Sequence, residues 1–199
     1  MIVVHHLNNS RSQRVLWLLE ELGLPYEIRH YQRDPRTVLA ESGAIVEYLV
    51  ERYGGGRLVP PPGSDERLRY TYWMHFAEGS AMPPLVMKLV FDRLEKAPMP
   101  FFVRPIARRL AGRVKQGFLE PNIARQLDFM EAELSRSEWF AGDEFTAADV
   151  QMSFPAEAAR ARGGLDEKRP RLMRFLERIH ARDAYRRAAE RGGKLAVLS

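Results

Sequence analysis

Two rhythms of apolar and polar positions run along this chain. The opening stretch 2–7, IVVHHL, begins with a β-branched apolar run and predicts a buried strand. NNSRS, 8–12, is a turn rich in residues that cap helices. Val15, Leu16, Leu18, Leu19 and Leu22 then recur at helical spacing, and Gly23 and Pro25 end that helix. YEIRHY, 26–31, alternates in part and reads as a second strand. Strand, helix, strand with short turns is a βαβ unit, so the two strands should be parallel with a right-handed crossover. A loop at 34–36 leads to a helix over roughly 42–53, with Ile45, Leu49 and Tyr53 on one stripe.

The rhythm then stops. GGGRLVPPPGS, 54–64, cannot continue a helix and makes a semi-stiff connection. Everything after it has helical spacing. Ser64 with Asp65 and Glu66 signals a helix start, and that helix runs to about Gly79. Pro83 and Pro84 predict a bend or interruption before the pattern resumes to Leu94. Pro98 and Pro100 mark another break. The stretch 121–135 is amphipathic, with Ile123, Leu127, Met130 and Leu134 facing inward. FTAADV, 145–150, predicts a capping box: Thr146 takes the Asp149 amide and the Asp149 carboxylate reaches back to the Thr146 amide, with Phe145 and Val150 at the staple positions. Two further helices are expected at 170–181 and from about Arg182 to Gly192–Gly193. The expected organisation is a small α/β unit over 1–53, a linker over 54–63 and an all-α unit over 64–199.

Composition narrows the chemistry. The 199 residues are 45% hydrophobic and 29% charged, typical of a globular protein with a real core. No run approaches the roughly 18 apolar residues of a membrane span. There is no cysteine, which removes disulfides, cysteine–metal sites and a cysteine nucleophile. Any thiol chemistry would need a thiol brought by a substrate, and a reducing cytoplasm is the expected setting. The net charge is +5, but basic and acidic residues are interspersed. The densest basic stretch, RPIARRLAGRVK at 104–115, has none of the aromatics that a nucleic-acid stripe interleaves, so it reads as a solvated helix face. Neither nucleic acid nor membrane is an expected partner. His5 and His6 on the first strand have no second ligand pair in view, so no metal site is expected.

Two places carry candidate chemistry. The turn 8–12 sits at the carboxyl end of the first strand and the amino end of the first helix, where open α/β sheets bind ligands and helix amides favour an anion. Ser10 offers a hydroxyl there, Asn9 an amide and Arg11 a charge; equally, Ser10 or Ser12 caps the helix. At the start of the helix over 42–53, Ser42 can cap or donate to a carboxylate, while Glu41 accepts only and suits an ammonium. Together they could hold an amino-acid head group.

These residues sit in segments that resemble a known family. SRSQRVLWLLEELGLPYEI (10–28), LAESGAIVEYL (39–49), WMHFAEGS (73–80), WFAGDEFTAADV (139–150) and AYRRAAERGG (184–193) are similar to bacterial cytosolic glutathione transferases. The resemblance implies a thioredoxin-like first domain, an all-α second domain, a cytoplasmic homodimer, and conjugation of the co-substrate glutathione to small electrophiles without a metal. It implies that Glu41 and Ser42 hold the γ-glutamyl end, with Arg11 nearby, and that Ser10, or Asn9 if the turn slips by one, faces the sulfur. Residues 72–84 would line the electrophile pocket. A reductive, peroxidase-like activity and a non-catalytic binding protein are the alternatives.

In one place the chain departs from the family. Members carry a helix, a cis-proline loop and a β-hairpin between the second strand and the Glu-Ser helix, and here Tyr31 and Glu41 are separated by nine residues. The surviving flanks favour a segment skipped near Thr37–Val38 over a deletion.

Overall fold

The computed structural model describes residues 2–7, 10–31 and 41–193, with the backbone alone at Leu7 and Tyr31. Asn9 and the Thr37–Val38 join lie outside the described residues. Strand β1 (Ile2–Leu7) pairs in parallel with β2 (Tyr26–Tyr31), Ile2 opposite Tyr26 and His6 opposite His30. Helix α1 (Ser12–Leu22) makes the crossover. It ends as its glycine requires: Gly23 sits at φ 66°, where a side chain would be strained, and the Leu24 amide turns back to the Leu19 carbonyl at 3.0 Å. Helix α2 spans Ser42–Tyr53.

The rest of the described chain is helical. Helix α3 (Asp65–Phe76) starts at Ser64, whose hydroxyl accepts the Arg67 amide at 3.1 Å. Where the prolines predict an interruption, the chain stays helical through a widened π-type turn at Ala77–Ala81 and continues as α4 (Met82–Lys96). Prolines 83 and 84 lack the N–H that would meet carbonyls one turn back, and their rings press on those carbonyls. One extra residue in the turn relieves that clash. The Ser80 carbonyl is satisfied instead by the Gln126 side chain at 2.9 Å. Helix α5 (Arg104–Val114) passes through a second π-type turn at Lys115–Leu119 into α6 (Glu120–Leu134). Helix α7 (Ala147–Ala158), a third such turn at Ala159–Gly163, α8 (Pro170–Ala181) and α9 (Asp183–Gly192) complete the order.

Two helices lie at the centre of the core. All twelve residues of α7 are buried. Helix α1 is nearly as enclosed, packed against β1, α2, α7 and α9. Ile123, Leu127, Met130 and Leu134 of α6 face inward as their spacing predicts. The capping box at the head of α7 forms. Asp149 accepts the Thr146 amide at 2.8 Å and the Phe140 amide at 2.9 Å, and the Thr146 hydroxyl at 3.1 Å. Its burial pushes the carboxyl pKa up to about 6, against hydrogen bonds that favour the ionised form. By contrast, no residue from 86 to 110 is buried: α4 and α5 project as a hairpin that exposes Val90, Phe101, Phe102, Ile106 and Leu110.

Candidate functional site

The amino end of α1 meets α2, the first π-type turn and α7 through one buried charge. Arg14 lies one turn into α1 and its side chain is only 2% exposed. Its Nη1 donates to the Gln151 carbonyl at 2.8 Å. That carbonyl is free because Pro155, one turn further along α7, has no N–H to give it. Arg14 Nη2 donates to Ser42 Oγ at 3.0 Å and to Glu78 Oε1 at 2.8 Å. Burial pulls the Arg14 pKa below its ordinary value, and the Glu78 carboxylate beside it works against that pull.

Glu78 is the hub. Its Oε1 also accepts from Gln151 Nε2 at 3.0 Å and from the Ser42 hydroxyl at 3.5 Å, and its Oε2 accepts from Arg11. The π-type turn swings Glu78 into this position; such turns in helices often accompany functional side chains. Two guanidinium groups face one carboxylate, so the cluster keeps a surplus positive charge. Two polar atoms also remain unpaired among the buried side chains here, Arg14 Nε and Gln151 Oε1.

A second, uncharged chain of hydrogen bonds runs from the turn before α1. Ser10 is buried, and its hydroxyl oxygen accepts the Ser12 amide at 3.2 Å, so it does help to cap the helix. Ser10 Oγ and Ser12 Oγ are 2.6 Å apart, Ser12 Oγ lies 2.9 Å from His6 Nδ1, and His6 Nε2 lies 2.7 Å from the Gly192 carbonyl oxygen. A carbonyl only accepts, so His6 carries its proton on Nε2 and Nδ1 of the neutral ring accepts. Ser12 therefore donates to His6, and Ser10 donates to Ser12. Burial lowers the His6 pKa, the bond to the Gly192 carbonyl raises it, and His30 lowers it again.

Of the residues singled out in the sequence, the structure joins Arg11 and Ser42 through Glu78. Arg11 is not free for a ligand, since its guanidinium is on the Glu78 carboxylate, though it is 39% exposed. Glu41 is exposed at the amino end of α2, its backbone carbonyl accepting the Ile45 amide at 3.2 Å. Asn9 lies outside the described residues. Sequence reasoning missed Arg14, Glu78, Gln151, His6 and Ser12 as parts of the site. The one available signal was Pro155 inside an apolar helix, which announces a carbonyl needing a foreign donor. Among the described residues no three His, Asp or Glu side chains gather as a metal site would require, and no helix is long and apolar enough to cross a membrane. An open cavity of about 410 Å³ lies elsewhere, between the carboxyl end of α1 and the α8–α9 corner, walled by the ion-paired Glu20, Glu21, Arg182 and Arg187.

Residues 95–183 match the profile described as glutathione S-transferase, C-terminal domain. Glutathione S-transferase 3 of Schizosaccharomyces pombe is 37% identical over 214 aligned positions, covering 96% of this chain and 88% of the relative. Those 214 positions exceed the 199 residues here, so the relative carries residues without a counterpart in this chain. A glutathione S-transferase from Actinobacillus pleuropneumoniae superposes with a TM-score of 0.70 at 25% identity, over 99% of this chain and 95% of its own. A glutathione transferase of Phanerochaete chrysosporium, solved in complex with oxidized glutathione, shares the fold with a TM-score of 0.73 at 22% identity, over 96% of each chain.

Proposed function

The chain belongs to the glutathione S-transferase family, and from that premise we propose that it binds glutathione at the junction of α1, α2 and the first π-type turn and conjugates the thiolate to small electrophiles. The observation that carries this reading is the Arg14–Ser42 bond of 3.0 Å. It ties the first turn of α1 to the amino end of α2, residues 28 positions apart, so that one ligand can touch both helix starts. The surplus positive charge there suits a substrate with two carboxylates. Glu41, exposed and acceptor-only, would take the γ-glutamyl ammonium, and the amino end of α2 with Ser42 its carboxylate. Arg11, the more exposed of the two arginines, would turn from Glu78 to the ligand. Ser10 would meet the sulfur, Asn9 being the alternative.

The chemistry asked of the protein is modest. A free thiol of pKa near 8.5 is only about 3% ionised at pH 7. Lowering that pKa by about 2 units takes about 2.7 kcal/mol. Hydrogen bonding at Ser10 and the positive end of α1 are of that size together. With nine residues between Tyr31 and Glu41, the reading rests on contacts to the two ends of the substrate. The exposed apolar side of the α4–α5 hairpin supports a homodimer.

The test is retention on immobilised glutathione followed by a conjugation assay with an aryl halide. Retention and turnover together are expected. Retention without turnover would make the protein a non-catalytic glutathione binder, and no retention would overturn the reading.

A further inference from the structure

We infer that His6 is the proton acceptor for a thiol bound at Ser10, reached through the Ser10 and Ser12 hydroxyls; this rests on the glutathione reading above. In the resting arrangement the Ser10 proton points at Ser12, and one Ser10 lone pair is taken by the Ser12 amide. Ser10 is thus not a donor waiting for a thiolate. Its remaining lone pair is an acceptor for an S–H. When the thiol proton moves to Ser10 Oγ, the original Ser10 proton passes to Ser12 Oγ and the Ser12 proton to His6 Nδ1. One S–H bond breaks and one N–H bond forms. The product is a thiolate and an imidazolium, with no proton lost to solvent. The Ser10–Ser12 and Ser12–His6 bonds have reversed while His6 still donates to the Gly192 carbonyl, and Ser10 now donates to the sulfur it has just deprotonated.

The surroundings of His6 are arranged for this. From α9, the Gly192 carbonyl takes the Nε2 proton at 2.7 Å, and the helix ends there, so the negative end of its dipole faces the ring. A side chain at 192 would crowd that approach. A β-carbon at 192 would lie 2.4 Å from Gln13 Oε1, 2.6 Å from Leu16 Cδ1 and 3.2 Å from His6 Cε1. From α1, Ser12 and Gln13 face the ring, and Gln13 Oε1 is buried without a partner. From β2, His30 packs edge-on with ring centres 5.6 Å apart, and its charge, when present, opposes that of His6. Burial and the positive end of α1 also oppose the imidazolium, so the charge is favoured only when a thiolate forms with it. Gly192 thereby gains a role beyond ending a helix.

Two experiments test the inference on the full chain. Nitrogen-15 NMR of the histidines in the free protein should show His6 neutral near pH 7.5, protonated on Nε2 and bare on Nδ1. A proton on Nδ1 of the neutral ring would overturn the relay whatever the protein binds. Calorimetric titration with glutathione at that pH, in buffers of different ionisation enthalpy, then counts protons. The wild type should bind with almost no proton released. His6→Gln, which keeps an amide for Gly192, and Ser12→Ala, which leaves His6 on Gly192, should bind and release their thiol proton to buffer. Conjugation rate in both variants should rise about tenfold per pH unit up to the pKa of their bound thiol, which lies below the pH of the titration, and in the wild type should stay flat over that range. Equal proton release in all three proteins would sink the relay while leaving glutathione binding intact. No binding by any of them would instead remove the functional reading and the relay with it.

Discussion

Two buried polar clusters in this molecule differ in reach and in completeness. At the head of α7, Asp149 is bound by groups three and nine residues away, the Thr146 and Phe140 amides and the Thr146 hydroxyl. At the head of α1, Arg14 draws its partners from positions 28, 64 and 137 residues away. The Asp149 box is packed with donors and has no opening for anything else. The Arg14 cluster keeps an excess charge, an unpaired Nε and an unpaired amide oxygen on Gln151. The first cluster is structural cement, and the second holds polar capacity in reserve where the ligand is proposed to sit.

That contrast can be broken, and the largest effect is expected at Asp149. Asp149→Ala strands two amides in a fully buried position and should cost about 4 kcal/mol in urea unfolding. A loss below about 1 kcal/mol would mean that water replaces the carboxylate, and the box would no longer count as closed. The same residue should also leave a mark on the pH profile. Its folded pKa, about 6, lies above its ordinary value of 3.8, so between those values the native state holds more protons than the unfolded chain. The contribution of Asp149 is therefore full below pH 4 and declines as pH rises through 6, by about 1.4 kcal/mol per unit at most. The wild-type profile minus that of Asp149→Asn should show this fall; a difference that is flat or rising would place the carboxyl pKa lower.

At the Arg14 cluster, Glu78→Gln keeps the shape but leaves two cations with no carboxylate. Because Glu78 is 21% exposed, a loss of about 2 kcal/mol is expected rather than the larger cost of a fully buried pair. Added glutathione should recover more stability in the variant than in the wild type, because its carboxylates would replace the missing charge. Thermal unfolding with and without glutathione checks this, and equal recovery would separate the cluster from the ligand. The smallest expected change is Gly192→Ala, about 1–2 kcal/mol of overpacking against Leu16 and Gln13. It should also free His6 from the carbonyl and shift its NMR resonances, which a packing defect elsewhere would leave alone.

Much of the fold was legible because its signals are local. Ser64 three residues before Arg67, the Thr146–Asp149 spacing, the inward stripe of α6 and the left-handed Gly23 all depend on neighbours along the chain, and each formed as its pattern predicts. The double proline at 83–84 was legible only as a bend or interruption for the same reason. Local rules see a missing N–H but not that a widened turn, with Gln126 on the Ser80 carbonyl, restores continuity. Of the candidate site, Ser10, Arg11, Glu41 and Ser42 were visible as residue types at helix ends. Arg14, Glu78 and Gln151 lay within or beside the quoted motifs without a role, because periodicity says which face a residue is on and not what stands opposite.

By itself, then, the chain's order of residues determined most of the elements and their caps, and it offered two candidate places where an anion or an amino-acid head group could be met. Only the packed structure decided that Arg14 spends its guanidinium on Ser42, Glu78 and the carbonyl that Pro155 leaves bare. Only it decided, too, which way the Ser10 proton points, through a histidine held by a carbonyl 186 residues away. The reason is range. A cap or a stripe is settled within a turn or two of backbone, whereas the direction of a hydrogen bond depends on the last group in its chain, and here that group arrives with the final helix.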